Sequence, residues 1–436
     1  MFRGKKVLVC GMARSGQAAA LVLRQLGAFV TANDLKTNID WEYDPADKGI
    51  SLRLGEKPDD FITEFDLVVI SPGISMYAPF VKKAEEMHIP VCGEAELAYR
   101  LCPCPVIAIT GTNGKTTVTT LVGEILKRHN PKTVIAGNIG IPLTSLIKGL
   151  TEEHIVVAEI SSFQLETISA FKPKISAVLN MTEDHLDRHL TMENYIAAKS
   201  RIFENQGQND ICVLNYDNAI TRSMRPRAKT LFFSAKENAD ATIQNGVLTA
   251  FGQNICGIDE TRVMPENALA AAAIAMSAGV PAHIVADVLR EFRGVPHRCE
   301  HILTSGGVDF YNDSKATNTD AAIKALESFS SRPVVLIAGG YDKQTDFTPW
   351  VEKFCGKVKC LILIGQTAEE IIADCQKHGF SDYEKAESLE AAVSRAREVA
   401  CKDDVVLFSP ACASFDMFKN FEERGELFAK YVRGGE

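Results

Sequence analysis

Lys115 and Thr116 sit just after Gly111 and Gly114 in the run Thr110-Gly-Thr-Asn-Gly-Lys-Thr-Thr117, and these residue types at this spacing handle phosphate. The glycines permit a turn tight enough for backbone N–H groups to face an anion. The Lys115 ammonium adds a point charge for the outer phosphates, and the Thr116 hydroxyl is placed to bind Mg²⁺. Ile109 stands where the full GxxxxGK[ST] pattern begins with glycine, so the match is imperfect. The competing reading is a glycine-rich turn that binds nothing; strand, loop, Lys-Thr pair and helix together favour phosphate.

Glu159 and one downstream histidine are the further candidates for this loop on chemical grounds. Glu159 closes the apolar run Ile155-Val-Val-Ala-Glu159, where an ionised carboxylate is costly unless paired or bound to metal. Metal is the better reading, because a phosphate loop needs a second Mg²⁺ partner. His185 and His189 stand at helical spacing in Thr182-Glu-Asp-His-Leu-Asp-Arg-His189, which would suit zinc. No third ligand or HExxH glutamate accompanies them, so a single histidine at a nucleotide–metal site is expected. Lys199, taken alone, reads as a solvated lysine.

These residues need a scaffold, and the periodicity supplies one. Val106 to Ile109 reads as a buried strand, and Val118, Leu121, Val122, Ile125 and Leu126 repeat at helical spacing behind the loop. Further strands are expected at Lys6–Cys10, Phe29–Asn33, Leu67–Ile70, Val134–Ala136, Ile155–Ile160 and Ile175–Asn180, and then at Val334–Ile337, Leu361–Ile364 and Val405–Phe408. Helices are expected over Gln17–Leu26, Tyr195–Phe203 and Asn267–Ala275, and near Thr367–Lys377, Leu389–Ala400 and Glu422–Val432. The stretch Ile211–Cys256 alternates strands and turns and is otherwise opaque. Alternating strands and helices predict a multidomain α/β protein.

Ligand-facing turns follow several strands. Gly11-Met-Ala-Arg-Ser-Gly16 with Asp34 resembles a dinucleotide fingerprint in which Ala13 replaces the middle glycine. A Rossmann-like unit without a dinucleotide fits it as well. Ser71-Pro-Gly73 is a polar turn after a buried strand, and Pro90–Gly93 reads as the exit from a first domain. Asn312–Asn318, Gly339–Lys343 and Ser409–Ser414 are polar or glycine-rich turns which, at one sheet edge, suggest a binding face.

Composition bounds the rest. With 436 residues the chain has room for about three domains, and a net charge of −9 without a basic stripe argues against nucleic acid. Twelve cysteines occur without a CxxC pair, no signal peptide precedes Val7, and no apolar run reaches transmembrane length. Reduced thiols in a cytoplasmic protein without membrane insertion are expected.

Taken together, Thr110–Thr117, Glu159 with Ser161-Ser-Phe-Gln164, His185, Lys199, Asn267, His297-Arg298, Asp313-Ser-Lys-Ala-Thr317 and Ser409–Ser414 resemble the Mur ligase family. The resemblance covers nearly the whole chain. Within the family, Ser71-Pro-Gly-Ile74 and Pro410-Ala-Cys-Ala-Ser-Phe415 resemble the member that adds D-glutamate; the DNPR- or DNPA-type motif of the member that adds a diamino acid is absent. The resemblance implies three domains: a UDP-sugar-binding Rossmann-like domain over 1–93, a central P-loop ATPase-type domain over 94–297, and a Rossmann-like amino-acid-binding domain over 298–436. It implies ATP-dependent joining of D-glutamate to UDP-N-acetylmuramoyl-L-alanine through an acyl phosphate, by a monomer using Mg²⁺ at two sites.

The resemblance also implies residue roles. Gly111, Thr112, Asn113, Gly114, Lys115, Thr116 and Thr117 hold ATP, with Asn267, Arg298, Asp313 and Lys315. Thr116, Glu159, His185 and a carbamylated Lys199 serve the metal; Lys115, His185 and Lys199 are the catalytic set. Ser15, Asp34, Lys36, Gly73, Asn138 and Gln164 contact the UDP-sugar, while Thr317, Lys343, Ser414 and Phe421 take D-glutamate. Met264 and Leu35 depart from base-contacting Asn and Thr residues of relatives, which weakens the adenine and uracil assignments.

Competing classes leave more unexplained. A dehydrogenase would use Gly11–Gly16 and Asp34 but strand the phosphate loop. A GTPase-like switch would need an NKxD motif, which the chain lacks. Folylpolyglutamate synthase shares the ATP-site plan but not a complete N-terminal nucleotide-sugar domain.

Overall fold

Short β-branched runs flanked by Gly and polar turns become parallel strands buried on both faces, as strands covered by helices on either side must be. The computed structural model describes residues 2–138, 141–329, 332–341 and 345–434. Two compact units result, Met1–Phe292 and Arg293–Glu436.

The first unit holds two sheets. Strands β1 (Lys6–Cys10), β2 (Phe29–Asp34), β3 (Ser51–Leu54), β4 (Leu67–Ile70) and β5 (Val91–Gly93) form a parallel sheet in the order β3-β2-β1-β4-β5. The strand order reverses between the parallel neighbours β1 and β4, which opens a crevice at their C-terminal ends. Within the stretch expected as the exit from the first domain, Val91–Gly93 is the edge strand β5, and it runs directly into the helix Glu94–Leu101.

The second sheet comprises β6 (Val106–Thr110), β7 (Thr133–Gly137), β8 (Ile155–Glu159), β9 (Ile175–Val178), β10 (Ile211–Asn215), β11 (Lys229–Ser234), β12 (Ala241–Gln244), β13 (Val247–Ala250) and β14 (Gln253–Gly257). Their order is β14-β13-β12-β11-β10-β9-β6-β8-β7, so the phosphate-loop strand β6 lies between β9 and β8. The opaque stretch is an extension of this sheet, antiparallel in its last two pairings.

Buried carboxylates join the two sheets. Glu96 accepts the N–H groups of Ser169, Ala170 and Phe171 at 2.8–2.9 Å, and Glu94 accepts both the N–H and the hydroxyl of Thr144. Because the helix Glu94–Leu101 grows out of β5 while its acidic side chains bond the central segment, the first two sheets pack as one unit.

The second unit is a six-stranded sheet, β15 (Glu300–Ser305), β16 (Val308–Asn312), β17 (Val334–Ala338), β18 (Val358–Leu363), β19 (Tyr383–Lys385) and β20 (Val405–Phe408). The order is β15-β16-β20-β17-β18-β19, parallel except for β15. Apolar clusters fill both faces, one around Trp350, Phe347 and Phe354, the other around Phe408 and Phe428. All twelve cysteines are free; Cys355 and Cys401 are exposed. Among the described residues no helix is long and apolar enough to cross a membrane.

Helix limits differ from expectation at their N-terminal ends. The first helix begins at Arg14 rather than Gln17, and Pro265 rather than Asn267 opens the alanine-rich helix. Proline suits that first position because its missing N–H would go unused there. The expected helix Tyr195–Phe203 is an α-helix over Met192–Ser200 followed by a 3₁₀ turn. Thr191, whose side chain accepts the Asn194 N–H, sets its start.

Candidate active site

The phosphate loop is held from both sides. Behind it, the helix Lys115–His129 buries Val118, Leu121, Val122, Ile125 and Leu126, and truncating one such side chain typically costs about 2–5 kcal/mol. That packing fixes where the helix N-terminus, with its partial positive charge, points. Gly114 caps the helix at φ +80°, and a Cβ there would lie 2.5 Å from Asn267 Oδ1. Glycine is needed for the backbone sign and for this approach, and Asn267 is thereby brought against the loop.

Asn180, two residues past the end of β9, shapes the loop from the front. Its Oδ1 accepts the N–H groups of Thr112 (3.2 Å) and Asn113 (2.8 Å), and its amide donates back to Asn113 O. Thr112 Oγ1 contacts the Tyr195 hydroxyl at 3.2 Å and accepts the Thr182 N–H. Neither Asn180 nor Tyr195 was singled out in the sequence. A polar residue ending a strand beside the phosphate-loop strand is the signal that would have found Asn180.

Lys115 folds over its own turn, donating to Gly111 O (3.0 Å) and Thr112 O (2.8 Å). Thr116 is buried, and its hydroxyl donates to Glu159 Oε2 at 2.8 Å. Asn138 donates to the other carboxylate oxygen at 2.8 Å. Glu159 itself is 2% exposed, so its charge is oriented by two donors and kept from water. Gly137 makes that closeness possible: at φ +110°, a Cβ there would sit 2.2 Å from Glu159 O.

Lys199 is the third element. Only 2% exposed, its ammonium donates to Gly111 O at 2.8 Å and lies 4.8 Å from the Tyr195 ring centre. Burial, then repulsion from Lys115, lowers its pKa to about 7. A solvated lysine is therefore not what the fold makes of it.

His185 lies at the rim, its ring 4.9 Å from Phe163 and 6.4 Å from Tyr195. Its backbone is left-handed at φ +53°, a strained conformation for a residue with a Cβ. His189 is buried instead, bonded to Ser162 Oγ (2.9 Å) and paired with Glu166 (3.3 Å). Burial, with help from Arg188, holds its pKa below the ordinary histidine value despite Glu166. The two histidines thus have different partners, and among the described residues no three His, Cys, Asp or Glu side chains converge to hold a metal. The donor set at Thr116 and Glu159, one hydroxyl and one ordered carboxylate, suits Mg²⁺, which takes one or two carboxylates plus phosphate oxygens and water.

At the β1–β4 crevice, Asp34 accepts the Met12 N–H (2.7 Å) and the Lys36 N–H (2.9 Å), closing the turn that precedes Ser15. Ser71 Oγ donates to Gly11 O at 2.6 Å, tying the two strand-end turns together. Ser15, Asp34, Lys36 and Gly73 therefore share one edge. Gln164 lies apart from them in sequence and is engaged locally: its Oε1 accepts from Ser161 in a capping box that starts the helix Ser162–Leu165.

In the second unit Asp313, at the end of β16, accepts from Ser409 Oγ (2.8 Å) and the Cys299 N–H (3.2 Å). Burial raises its pKa to about 6 against these donors and the nearby Arg298. Lys315 lies 5.6 Å from the Phe421 ring centre. Arg424, overlooked in the sequence, is fully buried and bonds Ser314 Oγ, Ser314 O, Cys412 O and Ala413 O at 2.8–3.1 Å. It joins the turn carrying Asp313, Lys315 and Thr317 to the turn carrying Ser414. Burial lowers its pKa to about 10. Lys343 and residues 139–140 lie outside the described residues.

Comparisons with known proteins agree along the chain. Family models match residues 5–93 (Mur ligase MurD-like, N-terminal domain), 109–275 (Mur ligase middle domain) and 297–412 (Mur ligase, glutamate ligase domain). A protein of Thermoanaerobacter sp. strain X514 named UDP-N-acetylmuramoylalanine–D-glutamate ligase is 47% identical, covering 99% of this chain and 98% of the relative. A like-named protein of Caldanaerobacter subterraneus is 46% identical over 98% of each. Among solved structures, the MurC UDP-N-acetylmuramate-alanine ligase of Thermotoga maritima superposes with a TM-score of 0.60 at 19% identity, covering 99% of this chain and 100% of that one. MurF ligase from the same organism, solved in complex with ADP, gives 0.59 at 18% identity, covering 99% of this chain and 96% of that one. At such identities these two structures speak for the fold alone.

Proposed function

We infer that this chain, which belongs to the Mur ligase family, is an ATP-dependent ligase that joins D-glutamate to UDP-N-acetylmuramoyl-L-alanine in peptidoglycan precursor synthesis. The carrying observation is the phosphate loop whose Thr116 hydroxyl is bonded to the buried Glu159, in a chain nearly half identical to ligases of that name.

The chemistry follows from the substrates. A carboxylate is a poor electrophile, so the terminal phosphoryl group of ATP is first passed to the alanyl carboxylate. The amine of D-glutamate then displaces phosphate from the acyl phosphate. Little covalent work falls to the protein; it positions the reactants and neutralises charge. Lys115 exchanges the Gly111 and Thr112 carbonyls for phosphate oxygens. The first N–H groups of the helix Lys115–His129, which follow a loop fixed by Asn180, hold the rest of the phosphate chain, with Asn267 beside them. Thr116 and Glu159 would hold Mg²⁺, which would supply charge neutralisation on the transferred group.

The finer assignments belong to the same proposal. Lys199 is carbamylated: a buried amine beside Lys115 gains by exchanging its positive charge for a negative one, and a carbamate offers the oxygen ligands that a second Mg²⁺ prefers. His185 completes that site. Ser15, Asp34, Lys36, Gly73, Asn138 and Gln164 serve the UDP-sugar; Thr317, Lys343, Ser414 and Phe421 serve D-glutamate; Arg298, Asp313 and Lys315 reach the nucleotide. The labour divides at 1–93, 94–297 and 298–436, in a cytoplasmic monomer.

Phosphate release from ATP, measured with UDP-N-acetylmuramoyl-L-alanine and a panel of amino acids, tests this. Turnover should require all three components and fall away with L-glutamate. Equal rates with both glutamate enantiomers would overturn the acceptor assignment.

A further inference from the structure

The reaction as described gives no role to Arg188, whose side chain is 14% exposed. Arg188 donates from Nη1 to Pro72 O and from Nη2 to Ile74 O, both at 3.0 Å, and from Nη2 to Glu166 Oε2 at 2.6 Å. Its guanidinium lies over the Phe163 ring at 4.4 Å. The same ring also neighbours His185 and His189, and His189 is paired in turn with Glu166. Pro72 and Ile74 are 116 and 114 residues away in sequence, in the turn that carries Gly73.

We propose that Arg188 is a positioning residue that holds the Ser71–Ile74 turn in the form that receives the sugar nucleotide, and couples it to the segment carrying His185. This rests on the assignment of Gly73 to the sugar-nucleotide site. A trans peptide unit points its C=O and N–H in opposite directions. With the carbonyls of Pro72 and Ile74 drawn to Arg188, the N–H groups of Gly73 and Ser75 are aimed away from it, toward the open side of the turn. Donors aimed this way suit the diphosphate of a nucleotide sugar. A planar guanidinium can serve two carbonyls and a carboxylate at once; an ammonium is a point charge that cannot reproduce the fork. Arg188 stands three residues from His185 on the turn His185–His189, so a sugar nucleotide seated on Gly73 and a ligand at His185 share one rigid connection.

Calorimetric titration with UDP-N-acetylmuramoyl-L-alanine, in EDTA and without ATP, tests this on the full chain. Arg188→Ala and Arg188→Lys should each weaken binding about tenfold, since an unpinned turn must be ordered at the ligand's expense. Binding of a non-hydrolysable ATP analogue with Mg²⁺ should stay within about twofold, and methylguanidine should restore part of the Arg188→Ala loss. If Arg188→Ala melts too early to titrate, Arg188→Lys decides. Gly73→Val is the companion variant: a Cβ at Gly73 meets nothing within 4 Å, so the fold tolerates it while a ligand there would not. Normal binding by Gly73→Val overturns the site assignment. Weak binding by Gly73→Val with normal binding by both Arg188 variants overturns the positioning role, as does an equal loss of the ATP analogue.

Discussion

Thr116 and Glu159 are hydrogen-bonded at 2.8 Å across 43 residues of sequence, and this bond joins the helix end of the phosphate loop to the end of the neighbouring strand. Thr116→Val keeps the shape and removes the donor. It leaves Glu159 Oε2 buried without that partner, at a cost of about 1–3 kcal/mol. Half-maximal Mg²⁺ for phosphate release should rise at least about tenfold, whereas Thr116→Ser should stay near the parent. A flat Mg²⁺ response in the valine variant would separate this pair from the metal.

Lys199→Arg keeps a positive charge but cannot form the carbamate, and ligation should fall by about 10³ or more if the modified side chain is a metal ligand. Parent enzyme freed of CO₂ should lose activity and regain it with bicarbonate. Near-normal turnover by Lys199→Arg would remove the carbamate from the scheme.

Asp313 gives a pH signature. Its folded pKa of about 6 lies above the unfolded value of 3.8, so the folded state favours the protonated carboxyl. The corresponding stability is fully present below pH 3.8 and is lost as pH rises through about 6. At full strength it amounts to roughly 3 kcal/mol. Asp313→Asn should remove this component, seen as a flatter dependence of the urea midpoint between pH 4 and 6.5. An unchanged slope would mean that Asp313 ionises normally.

Arg424 clamps two turns of the second unit, and Arg424→Met deletes all four of its bonds. Urea denaturation should show a loss of about 3–5 kcal/mol, the usual cost of leaving buried partners unpaired. Arg424→Lys should fold better yet raise KM for D-glutamate well above its effect on KM for ATP. Parallel changes in both constants would make Arg424 a plain structural residue.

What could be read in advance was what local chemistry dictates. The strands Lys6–Cys10, Leu67–Ile70 and Val405–Phe408 end where the apolar runs end, because polar turns stop them. The phosphate loop was legible for the same reason: Gly114, Lys115 and Thr116 do their work within one turn. Asn180, Tyr195, Arg188 and Arg424 were not legible, since each acts on groups distant in sequence that only the fold brings near. Lys199 looked ordinary because a sequence window carries no burial. The hairpins β12 to β14 were lost among turns; their strands are short and partly exposed, so alternation has little length in which to show.

The free thiols make the chain a reporter of its own breathing. Cys355 and Cys401, the exposed pair, both belong to residues 293–436, while Cys10 and Cys92 lie inside the first sheet and Cys212 and Cys256 inside the second. A maleimide reagent therefore decorates Cys355 and Cys401 first and reaches Cys10, Cys92, Cys212 and Cys256 only during excursions that expose a sheet interior. Mass spectrometry of the labelled peptides over hours would time those excursions sheet by sheet. If Glu94 and Glu96 bind the first two sheets into one unit, Cys10 and Cys212 should react at matched rates.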